Sequence, residues 1–155
     1  MQVFDMMLEA GLSPDTVTYS ILISACERAA DWQRACVVFD RMRADDIAAN
    51  VSTYTAIISA CAKGKQVELA ERYFRQMCEE GIEPNTFVYT ALIAAYSSVD
   101  DWQHALELYE EMKSRGMGVS QHTCSALIRS DSRDAPQGRP PSRAGDAPVE
   151  GAFAP

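Results

Sequence analysis

Five cysteines and two histidines are the side chains of this sequence best suited to bind a metal or act as nucleophiles. The cysteines are Cys26, Cys36, Cys61, Cys78 and Cys124. They are odd in number and form no Cys-x-x-Cys pair, and with only His104 and His122 beside them they match no zinc pattern. Buried free thiols in a reducing compartment are the simplest interpretation. We therefore expect no metal and no cofactor.

The other common catalytic arrangements are also missing from the sequence. It has no His-x-Glu with Cys-x-x-Cys, no cluster of metal-binding carboxylates and no convincing Ser-His-Asp arrangement. The stretch 130–155 is rich in Pro, Gly, Ala and Ser, so it is too poor in apolar residues to form a catalytic domain, and we expect it to be disordered. The sequence predicts a binding protein that is not an enzyme.

Sliding the sequence against itself by 35 residues aligns apolar residues in six columns. The columns are Tyr19, Tyr54 and Tyr89; Ile23, Ile58, Ile93 and Ile128; two sets of Ala, at 25, 60 and 95 and at 35, 70 and 105; Phe4, Phe39, Phe74 and Tyr109; and Met7, Met42, Met77 and Met112. Three complete units follow, which we number one (16–50), two (51–85) and three (86–120). Residues 1–15 match a second half-unit and 121–129 an opening half-unit, so we expect a fragment of a longer array.

Each unit is predicted to form two helices. In unit one, Tyr19, Ile23 and Cys26 recur at the spacing of one helix face, and a second set from Ala35 to Met42 does the same. Asp31 and Asp101, each before a Trp, are suitable N-caps for second helices. The periodicity makes the Tyr, Phe and Met columns core residues, and we expect both Trp to pack between helices. The fold class is therefore all-α, a solenoid of stacked helical hairpins.

The charge pattern restricts what kind of partner can bind. The formal net charge is −8, which argues against a nucleic-acid binder that works by bulk attraction. The acids lie mainly in the second helices and turns, whereas Glu27 is the only acid in 16–28, and 51–63 and 86–98 have none. A face lined by first helices would be close to neutral. No segment is long and apolar enough to predict a membrane helix, and no targeting peptide is visible.

The stretches 51–64, 68–77 and 81–85 together strongly resemble the pentatricopeptide repeat. The resemblance covers residues 1–128, and the related 34-residue tetratricopeptide pattern is absent. It implies a right-handed superhelix whose first helices line the concave face and bind single-stranded RNA, one base per repeat. It also implies a mitochondrial or chloroplast protein that acts in RNA processing, stability, editing or translation.

In that family the fifth and last residues of each unit specify the base. Carried over, these pairs are Ser20 with Asn50, Thr55 with Asn85, and Thr90 with Ser120. A short hydroxyl with Asn resembles the adenine combination, whereas the third pair departs from the common ones. Asn, Asp and Ser are also favoured as N-caps, so a purely structural role competes with base reading at the last positions, and both roles can coexist.

The second residue of each unit contacts the base face in that family. Val17, Phe87 and His122 fit this role, whereas Ser52 does not. Arg28 and Lys63 occupy the place of a phosphate-contacting lysine, and Ser98 fails there. Cations near a helix C-terminus are also common for electrostatic reasons alone.

Two functions therefore stay open at the level of sequence. The first is binding of single-stranded RNA, weak for this chain alone and with a preference for adenine. The second is a protein-interaction scaffold without direct RNA contact, because helical solenoids also bind peptides in their concave face.

Overall fold

The computed structural model describes residues 6, 9–11, 13–121, 123–125 and 127–128. Six complete helices of 13 residues each lie within this part of the chain: α1 (Thr16–Arg28), α2 (Trp32–Ala44), α3 (Val51–Lys63), α4 (Val67–Glu79), α5 (Thr86–Ser98) and α6 (Trp102–Ser114). No strand occurs among the described residues. The all-α repeat architecture predicted from the sequence is confirmed.

Polar side chains immediately before the helices fix where most of them begin. The Asp15 carboxylate accepts a hydrogen bond of 2.8 Å from the backbone N–H of Thr18, and Asp31 does the same for Arg34 at 3.1 Å. Asp101 accepts from the N–H of His104 at 3.4 Å. Each bond satisfies a donor that has no partner inside the helix. The N-caps predicted at Asp31 and Asp101 are confirmed.

Residues in the left-handed backbone conformation follow the helices, and only some of them are glycine. Gly81 follows α4 with φ 72° and the Ile82 N–H reaches back to the Met77 carbonyl, which is a Schellman ending. Between α3 and α4 the left-handed residue is Lys65, with φ 57°, not the neighbouring Gly64. Gly64 is needed for another reason: a Cβ there would lie 2.2 Å from Cδ1 of Trp32 in the preceding unit.

The helices stack so that each unit contacts only its neighbours. The first helix of each unit packs against the first helix of the next, α1 on α3 and α3 on α5, and each second helix also touches the following first helix. Among the described helices, the backbones of consecutive second helices lie farther apart, and α2 reaches α4 through side chains such as Phe39 and Tyr73. The first helices are therefore the closely spaced side of the stack, where an inner face must lie.

The core consists of the repeating columns. Every member of the Tyr and Met columns in the described units is buried: Tyr19, Tyr54, Tyr89, Met42, Met77 and Met112. Phe39 packs edge-on against Tyr73 and tilted against Tyr54, with ring centroids 5.1 and 5.4 Å apart. Trp32 packs against this core as expected. The expectation for Trp102 is wrong, because half of its surface is exposed. The residue equivalent to Gly64 for Trp102 is Asp134, outside the described residues.

Part of the acidity of the second helices and turns serves the fold. The buried Tyr19 hydroxyl donates to the Asp45 carboxylate, and the Tyr89 hydroxyl donates to Glu111 at 2.9 Å. Burial, followed by this Asp45 contact, raises the pKa of Tyr19 to about 12. These carboxylates bind the ends of first-helix tyrosines within the same unit, so they lie away from the face that first helices form with one another.

The equivalent tyrosine hydroxyl of unit two, that of Tyr54, differs in its hydrogen bonding. The Tyr54 hydroxyl is buried and has no hydrogen-bond partner. Glu80, its counterpart carboxylate, instead forms a 2.7 Å ion pair with Arg43 of the preceding unit. Burial, followed by the side chain of Glu80 and then its charge, raises the pKa of Tyr54, so Glu80 lies near the hydroxyl although no hydrogen bond of normal geometry joins them.

The predicted terminal segments fall partly or wholly outside the described residues. The partial repeat 1–15 is described only at 6, 9–11 and 13–15, and the predicted tail 130–155 not at all. Within the opening half-unit 121–129, the described residues 121, 123–125 and 127–128 are helical. None of the helices in the described part is long and apolar enough to cross a membrane.

Candidate nucleic-acid interface

A shallow groove of about 880 Å³ runs across the three first helices. Residues of α1, α3 and α5 line it, together with Asn85 just before α5. The lining residues include Thr55, Lys63, Asn85, Phe87 and Thr90. Five residues chosen from the sequence for RNA contact therefore share one surface. Small residues such as Ser59, Ala62 and Ala94 form much of the floor, which leaves room for a planar ligand.

The three fifth-position hydroxyls make the same local hydrogen bond. Ser20, Thr55 and Thr90 each donate to the backbone carbonyl four residues earlier, at 2.7, 2.7 and 2.8 Å. All three side chains are half-buried. Because a hydroxyl has a single hydrogen, each group in this arrangement can offer a ligand only a lone pair, as an acceptor.

The last residues cap the next helix with one side-chain atom. Asn50 Oδ1 accepts from the backbone N–H of Thr53 at 2.9 Å, and Asn85 Oδ1 accepts from that of Val88 at 3.0 Å. The structural role expected for these positions is therefore real. Capping uses the amide oxygen and leaves the amide NH₂ group, a donor, for another partner.

The structure brings the members of each pair together. Ser20 and Asn50 both contact Thr53, at 2.7 and 2.9 Å from its hydroxyl oxygen. Thr90 and Ser120 both contact the Thr123 hydroxyl, at 3.0 and 2.9 Å. Thr55 and Asn85 share the groove without such a bridge.

The side chains expected to cover base faces lie at the surface. Phe87 is 73% exposed and Val17 60%, although both are apolar and lie in the first turn of a helix. Ser52, the corresponding residue of unit two, is exposed and also lines the groove. His122 lies outside the described residues. Exposure of a large aromatic such as Phe87 costs the fold apolar burial, which is consistent with a role in binding.

The two expected phosphate-binding cations differ in their surroundings. Arg28 is exposed at the last residue of α1. The Lys63 ammonium group pairs with Glu27 of the preceding unit at 2.6 Å, and the Ser59 hydroxyl donates to the same carboxylate oxygen at 3.0 Å. The charge of Lys63 is thus already balanced within the groove. Ser98, which lacks a charge, donates to the Ala95 carbonyl.

Three of the residues that organise this surface were not singled out from the sequence. Thr53 and Thr123 connect the fifth and last residues of the preceding unit, and Glu27 neutralises Lys63. The threonines could have been found, because Thr18, Thr53 and Thr123 form a column at the 35-residue shift that only Val88 interrupts. Thr18 binds its own cap in the same way: its N–H, followed by its hydroxyl, lowers the pKa of Asp15.

The described residues contain no cluster of three or more His, Cys, Asp or Glu placed to hold a metal ion. The groove is lined by hydrogen-bonding groups, apolar side chains and the Glu27–Lys63 ion pair. Such a surface can bind a ligand with planar faces and polar edges.

Similar proteins were found by family and by structure. A family model described as the pentacotripeptide-repeat region of PRORP matches residues 1–139. The structure of the maize pentatricopeptide repeat protein PPR10 in complex with an 18-nt psaJ RNA element is similar, with a TM-score of 0.74 and 26% identity, over 85% of this chain and 20% of PPR10. This chain thus spans about a fifth of that protein. No match was found among curated proteins.

A second similar structure supports the fold alone. The PPR domain of Arabidopsis thaliana protein-only RNase P 1, in complex with tRNA, has a TM-score of 0.74 at 21% identity, over 86% of this chain and 72% of that one. The 35-residue register, the stacked hairpins and the family match over most of the sequence agree. The chain belongs to the pentatricopeptide repeat family.

Proposed function

We propose that this chain binds single-stranded RNA along the groove of α1, α3 and α5, and that units one and two prefer adenine. The observation that carries the proposal is the hydrogen-bonding state of the fifth and last residues. In units one and two an acceptor, the hydroxyl of Ser20 or Thr55, stands beside a donor, the amide NH₂ of Asn50 or Asn85.

This pattern is complementary to one class of base edge. The Watson–Crick edge of adenine presents an amino donor next to a ring-nitrogen acceptor, and cytosine presents the same order. Guanine and uracil present a carbonyl acceptor next to an N–H donor, which would place like groups against each other. The larger adenine reaches further from the backbone and stacks better, and the family resemblance also favours adenine.

Affinity is expected to be weak. Stacking contributes about 1–3 kcal/mol per base, so three units supply about 3–9 kcal/mol, against an association cost of about 4 kcal/mol or more. The pairing of Lys63 with Glu27 lowers the electrostatic contribution further. The proposal therefore concerns a binding segment, and its role is recognition without catalysis.

Fluorescence anisotropy at low salt tests the proposal, with labelled A-, C-, G- and U-rich oligomers. The parent chain should bind A-rich RNA most tightly. In Asn50→Asp/Asn85→Asp, the carboxylates replace donors by acceptors and should shift the preference toward guanine, which has N–H donors on its edge. A preference that does not move with these substitutions would contradict base reading at these positions.

The control variant must add the same two negative charges at positions outside the groove. Gln33 and Gln103 are exposed residues of the second helices α2 and α6, outside the groove. Gln33→Glu/Gln103→Glu should weaken binding to all four oligomers equally, without changing their order. If the parent binds no oligomer, the alternative of a protein-interaction scaffold is favoured.

The cellular setting proposed with this function is a mitochondrion or a chloroplast, in RNA processing, stability, editing or translation. Membership of the family supports it. Crosslinking the full-length protein to RNA in isolated organelles, followed by sequencing, tests both the compartment and the transcript.

A further inference from the structure

Each base-reading pair is followed by the third residue of the next unit. This residue is Thr53, Val88 or Thr123, and it is buried and polar in two of the three cases. Thr53 and Thr123 are fully buried, and they are the only polar side chains in the buried class among the described residues. Burying a hydroxyl is unfavourable unless it is hydrogen-bonded. Both threonines make hydrogen bonds to the two members of the pair of the preceding unit.

Counting hydrogens shows how Thr53 connects that pair. In one arrangement Ser20 donates to the Thr16 carbonyl, and Thr53 donates to Ser20. In the other, Ser20 donates to Thr53, and Thr53 donates to Asn50 Oδ1. In both, the Ser20 hydrogen points away from a ligand, and the Asn50 oxygen stays on the helix side with its NH₂ outward.

In the second arrangement the Asn50 side chain is held by two groups of the same residue, the backbone N–H and the hydroxyl of Thr53. Its Oδ1 lies 2.9 Å from both the backbone nitrogen and the hydroxyl oxygen of Thr53. The Thr53 hydroxyl also faces the Asn50 backbone N–H at 3.4 Å, which completes a reciprocal capping box. Rotation of the amide would break these contacts together.

Unit two lacks this connection although its reading pair is of the same type. Val88 replaces threonine and is fully buried, with nearly the same shape but no hydroxyl. Asn85 is held only by the Val88 backbone N–H, and Thr55 only by the Val51 carbonyl. The same chain thus contains one pair of this type that a threonine connects, Ser20 with Asn50, and one that is not connected, Thr55 with Asn85.

We propose that the third residue of each unit is a specificity-determining positioning residue, because a threonine there locks the fifth and last residues of the preceding unit into one donor–acceptor pattern. This inference rests on the proposed function. It follows that unit one, closed by Thr53, discriminates between bases more strictly than unit two, closed by Val88.

Thr53→Val and Val88→Thr test the proposal in opposite directions. Each is compared with the parent for binding to oligomers in which the base facing one unit is varied. Thr53→Val should reduce discrimination between A and G at unit one by about threefold to tenfold, in the lower part of the range of couplings within one hydrogen-bond network. Val88→Thr should increase it at unit two, since Thr55 and Asn85 are in place to receive the new hydroxyl.

Thr18→Val is the matched control. Thr18 makes the same contacts to its cap Asp15, with N–H and hydroxyl each 2.8 Å from Oδ1. Residues 1–15 contain no fifth position, so Thr18 joins no complete pair in this chain, and this variant removes an equivalent hydroxyl without opening one. Its base preference should equal that of the parent.

A readout without RNA follows from the composition, because Asn50 and Asn85 are the only asparagines. Their two side-chain NH₂ groups can be assigned by NMR with the Asn→Asp variants. The Asn50 group should be the more ordered of the two, and Thr53→Val should remove the difference. Far-UV circular dichroism checks that each variant is folded.

The possible failures are distinct. A parent with no base preference would overturn the proposed function, and this inference with it. A parent with a clear preference that neither Thr53→Val nor Val88→Thr alters would overturn only the role of the third residue.

Discussion

The Lys63 ammonium group lies 2.6 Å from the Glu27 carboxylate of the preceding unit, on the surface where an RNA phosphate would be neutralised. If RNA binds along the groove as proposed, Glu27 competes with phosphate for this cation. The pair is partly exposed, so its own contribution to stability is small. Its main effect is expected to be on ligand affinity.

Replacing Glu27 with Gln should release Lys63 and strengthen RNA binding. We expect about a threefold gain at low salt, and a dependence of log K on log salt that steepens by about 0.7, the increment for one added phosphate contact on a single strand. Salt-dependent anisotropy titrations measure both. Glu110→Gln makes the same charge change on the exposed face of α6, and equal gains in both variants would argue against a local effect.

The tyrosine column allows a comparison within one chain. Tyr89→Phe removes a 2.9 Å hydrogen bond to Glu111 and should lower the free energy of unfolding by about 1–2 kcal/mol. Tyr54→Phe removes a buried hydroxyl without a partner and should change it by less than about 0.5 kcal/mol. Urea denaturation at neutral pH distinguishes the two, and similar losses would mean that Tyr54 is hydrogen-bonded after all.

Two neighbouring residues between α3 and α4, Gly64 and Lys65, should change stability in opposite directions when glycine is removed at the first and introduced at the second. Gly64→Ala should destabilise the fold by about 1–3 kcal/mol, since the new Cβ meets the Trp32 ring. Lys65→Gly should stabilise it by up to about 1 kcal/mol, because Lys65 has φ 57°. Thermal unfolding measures both. The cost of Gly64→Ala should largely vanish in a Trp32→Leu background, and persistence of the full cost there would exclude the ring as its cause.

Alkaline pH should unfold the protein through its buried tyrosines. The folded-state pKa of Tyr19 is raised to about 12 and that of Tyr89 is also raised, each first by burial and then by a carboxylate. Since an unfolded tyrosine ionises near pH 10, the stabilisation is complete below that pH and is lost as pH rises toward the folded pKa. Absorbance at 295 nm should rise together with the loss of helical circular dichroism. Gradual ionisation of every tyrosine with helicity intact would contradict this mechanism.

The repeat made most of the fold predictable. A shift of 35 residues identified Tyr19 and Met42 as core residues without any tertiary information, because each position has the same environment in every unit. The same assumption of equal environments made the prediction for Trp102 wrong. Its column partner Trp32 contacts Gly64 of the next unit, whereas the residue equivalent to Gly64 for Trp102 lies outside the described residues. Equivalence between units fails where the next unit differs.

The candidate site was less predictable because its contacts join different units. Glu27 and Lys63 are 36 residues apart and appear unrelated along the chain, although stacking of α1 on α3 places them in contact. Thr53 was overlooked because its role depends on Ser20 across the same interface. The sequence indicates which residues repeat, whereas the hydrogen-bond partner of each depends on the geometry between neighbouring units.

The uneven packing of the two helix layers has a mechanical consequence. The backbones of α1, α3 and α5 pack closely in turn, whereas those of α2, α4 and α6 lie farther apart, with Phe39 of α2 reaching Tyr73 of α4 through their side chains. Bending that spreads the outer layer therefore separates fewer close backbone contacts than an equal stretch of the inner layer. When the curvature of the stack changes, the spacing of the first helices should accordingly change less than the spacing of the second helices.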